Sequence, residues 1–462
     1  EQLIKKTESV KRTMQKHYDY EAVQSSDKQI CLSLEQALDL YSVSWFQYNL
    51  LFMCGLSFMA DALQISLLTF LTPCVKEEWN LTPPEEASIT GVMFIGTMLG
   101  NLCWGLLADR FGRRPAYLIS TALVSFGCLS LSVVPSFFWM IIVLCIAGFG
   151  IGGSSIPFDL LAEMIPADRR GAYLIYIELF WTFGSMFIAG LAWISLHFLG
   201  WRFLASMSSL PVSIALIYAL LYLPESPRWL LIKGRVVEAV EVIQGMGKMN
   251  GIIIPKFSLT TQKTVKEEKK PNFSDLLNTP DARSLSIPLW TLWFIFGVSY
   301  YGFVMLTSRI YAKKTVENSG GIEVSFNFPV LFLSASSELI GLILAAFSID
   351  YMGRVNTQIM FYLVGAVAVV LMSVGFFEDL TFLASVVGRM SIMAATCVTW
   401  VITPELYTTE LRTIGHSSCA AISRIGCFLA PYLVFSDLEP LYIGLLLGLL
   451  NLIATGASYL LP

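Results

Sequence analysis

The sequence predicts an all-α membrane protein with twelve transmembrane helices in two pseudo-symmetric six-helix bundles. Three observations carry that prediction. Only 14% of the 462 residues are charged, where soluble domains run near 25%. The chain is 55% hydrophobic, with a mean hydropathy of +0.66, so the apolar excess is spread along its length. Twelve spans of about 20 residues need about 240 apolar-rich positions, and 55% of 462 supplies about 254.

Apolar runs lie near 45–72, 86–107, 116–134, 137–161, 172–195 and 203–223. After a polar stretch, others lie near 284–306, 328–348, 357–376, 380–402, 413–435 and 438–460. Lipid offers no partner for free backbone groups, so each run must be a helix unless the chain closes a barrel. The runs are too long and too evenly apolar for alternating barrel strands. The expected units are therefore an N-terminal tail (1–44), a six-helix bundle (45–223), a linker (224–283) and a second six-helix bundle (284–462). Within the linker, residues 235–246 read as a short amphipathic helix, with Val236, Val237, Val240 and Ile243 on one face. Residues 256–275 are lysine-rich and polar, and the 308–327 loop is too short for an outer domain.

Lysine and arginine set the orientation. With both termini and the linker in the cytosol, 23 of the 30 basic residues fall on the inner side. The first outer loop, 73–87, has one lysine against four glutamates. Asn80-Leu81-Thr82 is then an outward sequon, and Asn272-Phe273-Ser274 faces the cytosol. The chain starts at Glu1 and stops at Leu461-Pro462, and reads as part of a longer protein without a secretory signal over 1–44. A net charge of −4 argues against a nucleic-acid partner. Three histidines leave little room for zinc, and seven of the nine cysteines sit inside apolar runs, where cysteine acts as a small hydrophobe. No disulfide, metal or cofactor is expected. The expected partners are a small organic ion and the lipid bilayer, with the chain a monomer. The membrane is a plasma, organelle or vesicle membrane.

A charge pattern repeats in the two halves. GLLADRFGRR stands between spans 2 and 3, with Asp109, Arg113 and Arg114. FSIDYMGR stands between spans 8 and 9, with Asp350 and Arg354. After span 4 come Glu163, Arg169 and Arg170; after span 10 come Glu405, Glu410 and Arg412. Charges at helix ends can pair while a gate is shut and take up water when it opens. Neither state then strands a bare buried charge, which would cost several kcal/mol. The gate set is Asp109, Arg113, Glu163, Arg170, Asp350, Arg354, Glu405 and Arg412.

These motifs resemble the major facilitator superfamily, which implies its two-bundle fold. PESPRW (224–229) resembles the signature of its sugar-porter and organic-ion branches. MADA (59–62), GFGIGG (148–153), IELFWTFGS (177–185), SYYGFVMLT (299–307) and TPELYTTELR (403–412) are similar to synaptic-vesicle-two-related proteins. They are also similar to the neighbouring organic-anion, organic-cation and nicotinate carriers. The resemblance spans about 45–462. Two departures stand out. Leu144 replaces an arginine usual in span 4, and the chain ends at LP, before a PETKG-like tail.

Five ionisable residues lie inside spans: Asp61, Glu178, Glu338, Arg389 and Arg424. Each costs about 2.5–3.5 kcal/mol on insertion scales, so each needs a partner or a task. Asp61 is the candidate proton carrier, and its place in MADA adds to that. Arg424, in AISRIGCFLAP, is the candidate substrate discriminator. A guanidinium keeps its charge and offers a fork to a carboxylate. In the resembling carriers an aspartate there goes with cations and an arginine with anions. Arg424 could instead be neutralised by Glu178 or Glu338. Phe180, Trp181, Tyr300, Tyr301 and Trp400 are read as mid-depth aromatics around the solute.

The function read from these features is secondary transport of a small organic anion, such as a nicotinate-like monocarboxylate. It would proceed by alternating access, with proton coupling. No GxxxxGK[ST] motif occurs, so ATP does not drive it. Organic-cation transport is the alternative, through the three carboxylates. A sugar carrier fits less well, because span 7 (WFIFGVSYYG) lacks glutamine and span 5 carries Glu178. A transporter-like receptor that moves nothing is the remaining alternative. No nucleophile, base and orienting group stand together as an enzyme requires.

Overall fold

The computed structural model describes residues 30–39, 44–196, 198–251, 257–259, 273–278, 280–316, 322–375, 377–408 and 411–462. Twelve helices among them are long and apolar enough to cross a membrane. They are labelled α1 (Trp45–Trp79), α2 (Pro83–Phe111), α3 (Arg113–Leu131), α4 (Phe137–Met164), α5 (Ala167–Ser195) and α6 (Gly200–Tyr222). The second set is α7 (Pro280–Tyr311), α8 (Phe328–Met352), α9 (Arg354–Val374), α10 (Glu378–Leu406), α11 (Arg412–Val434) and α12 (Pro440–Tyr459). α1 and α7 are the most enclosed, with 78% and 83% of their apolar windows buried. They therefore stand at the centre, and the others turn more side chains to lipid.

Local sequence explains the helix ends. Ser44 and Thr82 open α1 and α2 with capping boxes closed by Gln47 and Glu85, which satisfy otherwise orphaned amides. Gly112 (φ 117°) and Gly353 (φ 79°) turn the chain between α2 and α3 and between α8 and α9. Other residues rarely adopt that backbone. Asn80 ends α1 in the left-handed region at φ 51° and is exposed. α4 is interrupted by a 3-10 turn at Gly152–Ser154, a feature that often marks a functional hinge.

The two ends of the bundle differ. One carries the 223–279 connection and is called the linker end. There Pro227–Ile232 and Val236–Met249 form short helices. A two-stranded parallel ladder, β1 (Ile30–Leu32) with β2 (Phe257–Leu259), packs beside them. The amphipathic helix buries Ala239, Ile243 and Met246. Val237 is 72% exposed, which corrects its assignment to the buried face. It lies six residues before Ile243, so 100° steps rotate it far around the helix. Most of 256–275 lies outside the described residues, as does Asn272.

At the opposite end, the α7–α8 connection is a hairpin, β3 (Ala312–Val316) against β4 (Ile322–Phe326). This hairpin end joins the halves. Phe70 of α1 meets Phe326 of the hairpin edge-on, with ring centroids 5.3 Å apart. Gly190 of α5 faces Phe332 of α8, and Gly91 of α2 lies against Tyr432 of α11. Trp193 also reaches Phe332.

Candidate functional site

The five intramembrane charges fall into two clusters and one remainder. Asp61, on α1, is 4% exposed. Ser154 of the α4 turn and Arg424 of α11 interact with its carboxylate. The second carboxylate oxygen, Oδ1, has no hydrogen-bond partner among the described residues. Arg424 also meets Tyr301 of α7 and Cys427. With the Asn101 amide turned to suit its neighbours, its oxygen accepts from Arg424 Nε at 3.2 Å and its nitrogen donates to the Gly152 carbonyl. Asp61, Asn101 and Ser154 belong to the first half, Arg424 and Tyr301 to the second. The cluster therefore bridges the halves at mid-depth. The sequence left Glu178 or Glu338 as the partner of Arg424; in the structure the carboxylate within electrostatic range of Arg424 is Asp61, with no ion-pair contact between them.

Glu338 is taken by another arginine. Arg389 Nε on α10 donates to Glu338 Oε1 on α8 at 2.8 Å. Tyr300 Oη donates to the same oxygen at 2.7 Å, and Trp181 Nε1 of α5 donates to Tyr300 Oη at 2.7 Å. The chain Trp181–Tyr300–Glu338–Arg389 thus also crosses between the halves. Both charged groups are buried, so the pairing is required rather than optional. Glu178 has no ion pair among the described residues. Cys397 of α10 lies within electrostatic range of Glu178 and Glu338. Glu178, Trp181 and Arg424 keep part of their surface accessible, whereas Asp61, Glu338, Arg389, Tyr300 and Tyr301 are buried.

The aromatics divide likewise. Trp181, Tyr300 and Tyr301 adjoin the clusters; Tyr301 meets Phe94 of α2 at 5.0 Å and Tyr300 at 5.2 Å. Phe180 packs over Gly55, where a Cβ would overlap its ring. Trp400 stands apart, which corrects its mid-depth placement. It is 41% exposed and meets Trp293 edge-on and His416 at a tilt, both of the second half, towards the linker end. The helix continues to Leu406, but Trp400 lies only two turns from that end, where tryptophan is common.

The gate charges gather at the linker end, each set inside its own half. Arg113 reaches Asp109 at 3.1 Å, Glu163 at 3.4 Å and Asp159 at 3.6 Å. Arg354 pairs with Glu405, one contact being 2.9 Å. The repeat is thus α3 to α4 and α9 to α10: the arginine opening one helix holds an acid near the end of the next. Asp350 lies within electrostatic range of Arg354, but the ion pair of Arg354 goes to Glu405. Arg170 reaches the Ile165 carbonyl at 3.5 Å and does not pair with Glu163. The side chain of Arg412 and residue Glu410 lie outside the described residues.

Sequence reading missed three members. Asp159 is one helical turn before Glu163, a spacing that puts both on one face and could have flagged it. Asn101 is a lone amide in an apolar span. Glu225, within PESPRW, accepts from the backbone amides of Arg113 at 2.9 Å, Arg114 at 3.1 Å and Ser226 at 2.9 Å. It caps α3, where a carboxylate also suits the helix dipole. Trp229 of the same motif donates from Nε1 to the Asp109 carbonyl at 3.0 Å.

The sequence profile described as sugar (and other) transporter matches residues 40–460. Organic cation/carnitine transporter 7 of Arabidopsis thaliana is 31% identical over 86% of this chain and 87% of its own. The niacin transporter NiaP of Acinetobacter baylyi is 29% identical over 87% of this chain and 90% of its own. In fold, the chain is similar to a partially occluded inward open structure of the xylose transporter XylE from E. coli. The TM-score is 0.68 at 15% identity, over 90% of this chain and 99% of that one.

The two kinds of ion pair should respond differently to removal of an acid. Glu338→Gln leaves Arg389 buried without its counter-charge and is expected to cost about 3–5 kcal/mol. Glu405→Gln removes an exposed pair and should cost far less. Thermal unfolding of the purified variants in detergent measures both. Equal losses would contradict the assignment.

Proposed function

Because the chain belongs to the sugar (and other) transporter family, within the major facilitator superfamily, we propose that it is a secondary transporter of a small organic anion. The proposed solute is a monocarboxylate of nicotinate type. The observation that carries this reading is Arg424, a half-buried arginine at the seam between the halves whose Nε reaches Asn101. Its fork can hold a carboxylate in two parallel hydrogen bonds. Trp181 adds a flat, partly accessible aromatic face with its N–H already turned to Tyr300, which suits a small aromatic acid. The similarity to a niacin transporter supports the same solute class.

Asp61 is the proposed coupling residue. In the state described here its carboxylate lies within electrostatic range of Arg424. A carboxylate solute on Arg424 would compete with it, and protonation of Asp61 removes the competitor at no cost in stranded charge. Anion and proton would then enter together, and the halves would rock about this seam. Every inter-half contact described above lies from mid-depth to the hairpin end, while the linker-end ion pairs stay within one half. That distribution suits a carrier held at the hairpin end and ready to part at the other. A second reading, organic-cation transport, is favoured by Glu178, a half-buried residue without an ion pair among the described residues, and by the organic cation/carnitine relative.

Uptake of radiolabelled nicotinate into proteoliposomes, with and without an inward proton gradient, tests the reading. Arg424→Gln is expected to lower anion uptake at least about tenfold, the value of one lost charge-assisted contact of about 1.5–3 kcal/mol. Asp61→Asn is expected to abolish the response to the gradient and to retain counterflow exchange. Anion uptake that is unchanged in Arg424→Gln, or wild-type uptake indifferent to pH, would sink it. The proposed orientation puts the linker end in the cytosol. In intact cells a cysteine at exposed position 80 should react with an impermeant maleimide, and one at exposed position 235 should not; the reverse pattern would invert the topology.

A further inference from the structure

Asp61 has a second face. Behind it, inside the first bundle, lies a cavity of about 20 Å³ bounded by α1, α3, α4 and α6. That volume holds one water-sized occupant. Its polar lining is Ser57, Asp61, Ser120, Thr121 and Ser154. Arg424 does not line it. The unpartnered Asp61 Oδ1 belongs to a side chain that is 4% exposed. The hydroxyls spend their protons elsewhere. Ser120 Oγ donates to the Tyr117 carbonyl at 3.0 Å. Tyr117 Oη donates to the Met53 carbonyl at 3.3 Å and therefore accepts from Ser57. What Ser57 and Ser120 have left to offer is oxygen lone pairs.

Gly150, Ile151 and Gly153 also line the cavity, beside the 3-10 turn at Gly152–Ser154. Among the described residues, no group of three or more His, Cys, Asp or Glu could hold a metal ion. A transition metal is therefore a poor fit. One carboxylate among hydroxyl oxygens fits a hard monovalent cation.

We propose that the cavity behind Asp61 is a sodium site. The ion takes Asp61 Oδ1 and hydroxyl oxygens from Ser57, Ser120, Thr121 and Ser154. Sodium on this face competes electrostatically with Arg424 on the other. Binding it weakens the hold of Asp61 on Arg424 and readies the guanidinium for an anion. The proposal rests on the reading of Asp61 as the coupling residue, but it is scored without any transported solute. Its failure and the failure of the anion reading are therefore distinguishable.

The test is sodium titration of the purified full chain, read by intrinsic tryptophan fluorescence and by thermal unfolding. Choline chloride holds ionic strength constant, and potassium is titrated in parallel. Expected is a saturable response to sodium, weaker for the larger potassium ion and absent in Asp61→Asn. Thr121→Val, which keeps the carboxylate and the shape, is expected to weaken sodium binding about tenfold or more with unfolding in choline unchanged. If sodium, potassium and choline act alike, or if the sodium response survives Asp61→Asn, the site does not exist. If Thr121→Val binds sodium as wild type does while Asp61→Asn fails to fold, the proposed ligand set is overturned.

Discussion

A guanidinium in the middle of a membrane protein needs a counter-charge, and a carboxylate within electrostatic range of Arg424 comes from the opposite half. Asp61 on α1 and Arg424 on α11 both stand at the seam, with Asn101 and Ser154 completing one side and Tyr301 the other. Their attraction constrains what the rest of the bundle can do. The halves cannot separate at mid-depth unless something replaces Asp61 beside Arg424 or neutralises both groups. A bare charge left there would cost several kcal/mol. A solute anion on Arg424 together with a cation or proton on Asp61 meets that requirement, and either alone does not. On the proposed reading, coupling would follow from electrostatic balance at the seam, with no need of a signal relayed over a distance.

Apart from Glu178, the charges away from Arg424 and Asp61 sit where they can be satisfied locally. Glu338 and Arg389 form a buried pair braced by Tyr300 and Trp181. At the linker end, Arg113 is shared among three acids of the first half, and Arg354 is held by Glu405 in the second. Glu225 and Trp229 tie the segment after α6 to the α2–α3 turn. PESPRW thus has a structural task, fastening the linker to the first bundle beside the gate charges. At the hairpin end the seam is apolar and aromatic, with Phe70 against Phe326 and Phe332 against Gly190. Such contacts can part without stranding charge.

The twelve spans were legible because hydropathy is a local property that sums over a window of residues. The helix-end glycines Gly112 and Gly353 were legible too, since a turn between two apolar runs needs them. The pairing of the five intramembrane charges was not. Three carboxylates and two arginines allow several matchings, and only the packing of α11 against α2 and α7 and of α8 on α10 selects one. Trp400 was misplaced because an aromatic in an apolar run carries no label of depth. The hairpin over 312–326 was read as plain loop, since it is short and its strands stabilise each other only once the flanking helices fix their ends. The cavity behind Asp61 was out of reach of sequence, because its hydroxyls come from α1, α3 and α4.

The most direct test of the seam is a double-mutant cycle on Asp61→Asn and Arg424→Gln, measured by thermal unfolding without solute. Each single variant leaves one buried charge facing no partner, and the double variant leaves none. The account predicts that the double variant is more stable than the sum of the single losses by more than about 1 kcal/mol. Losses that add within about 0.5 kcal/mol would show that Asp61 and Arg424 do not hold each other, and the proposed coupling would fall with them.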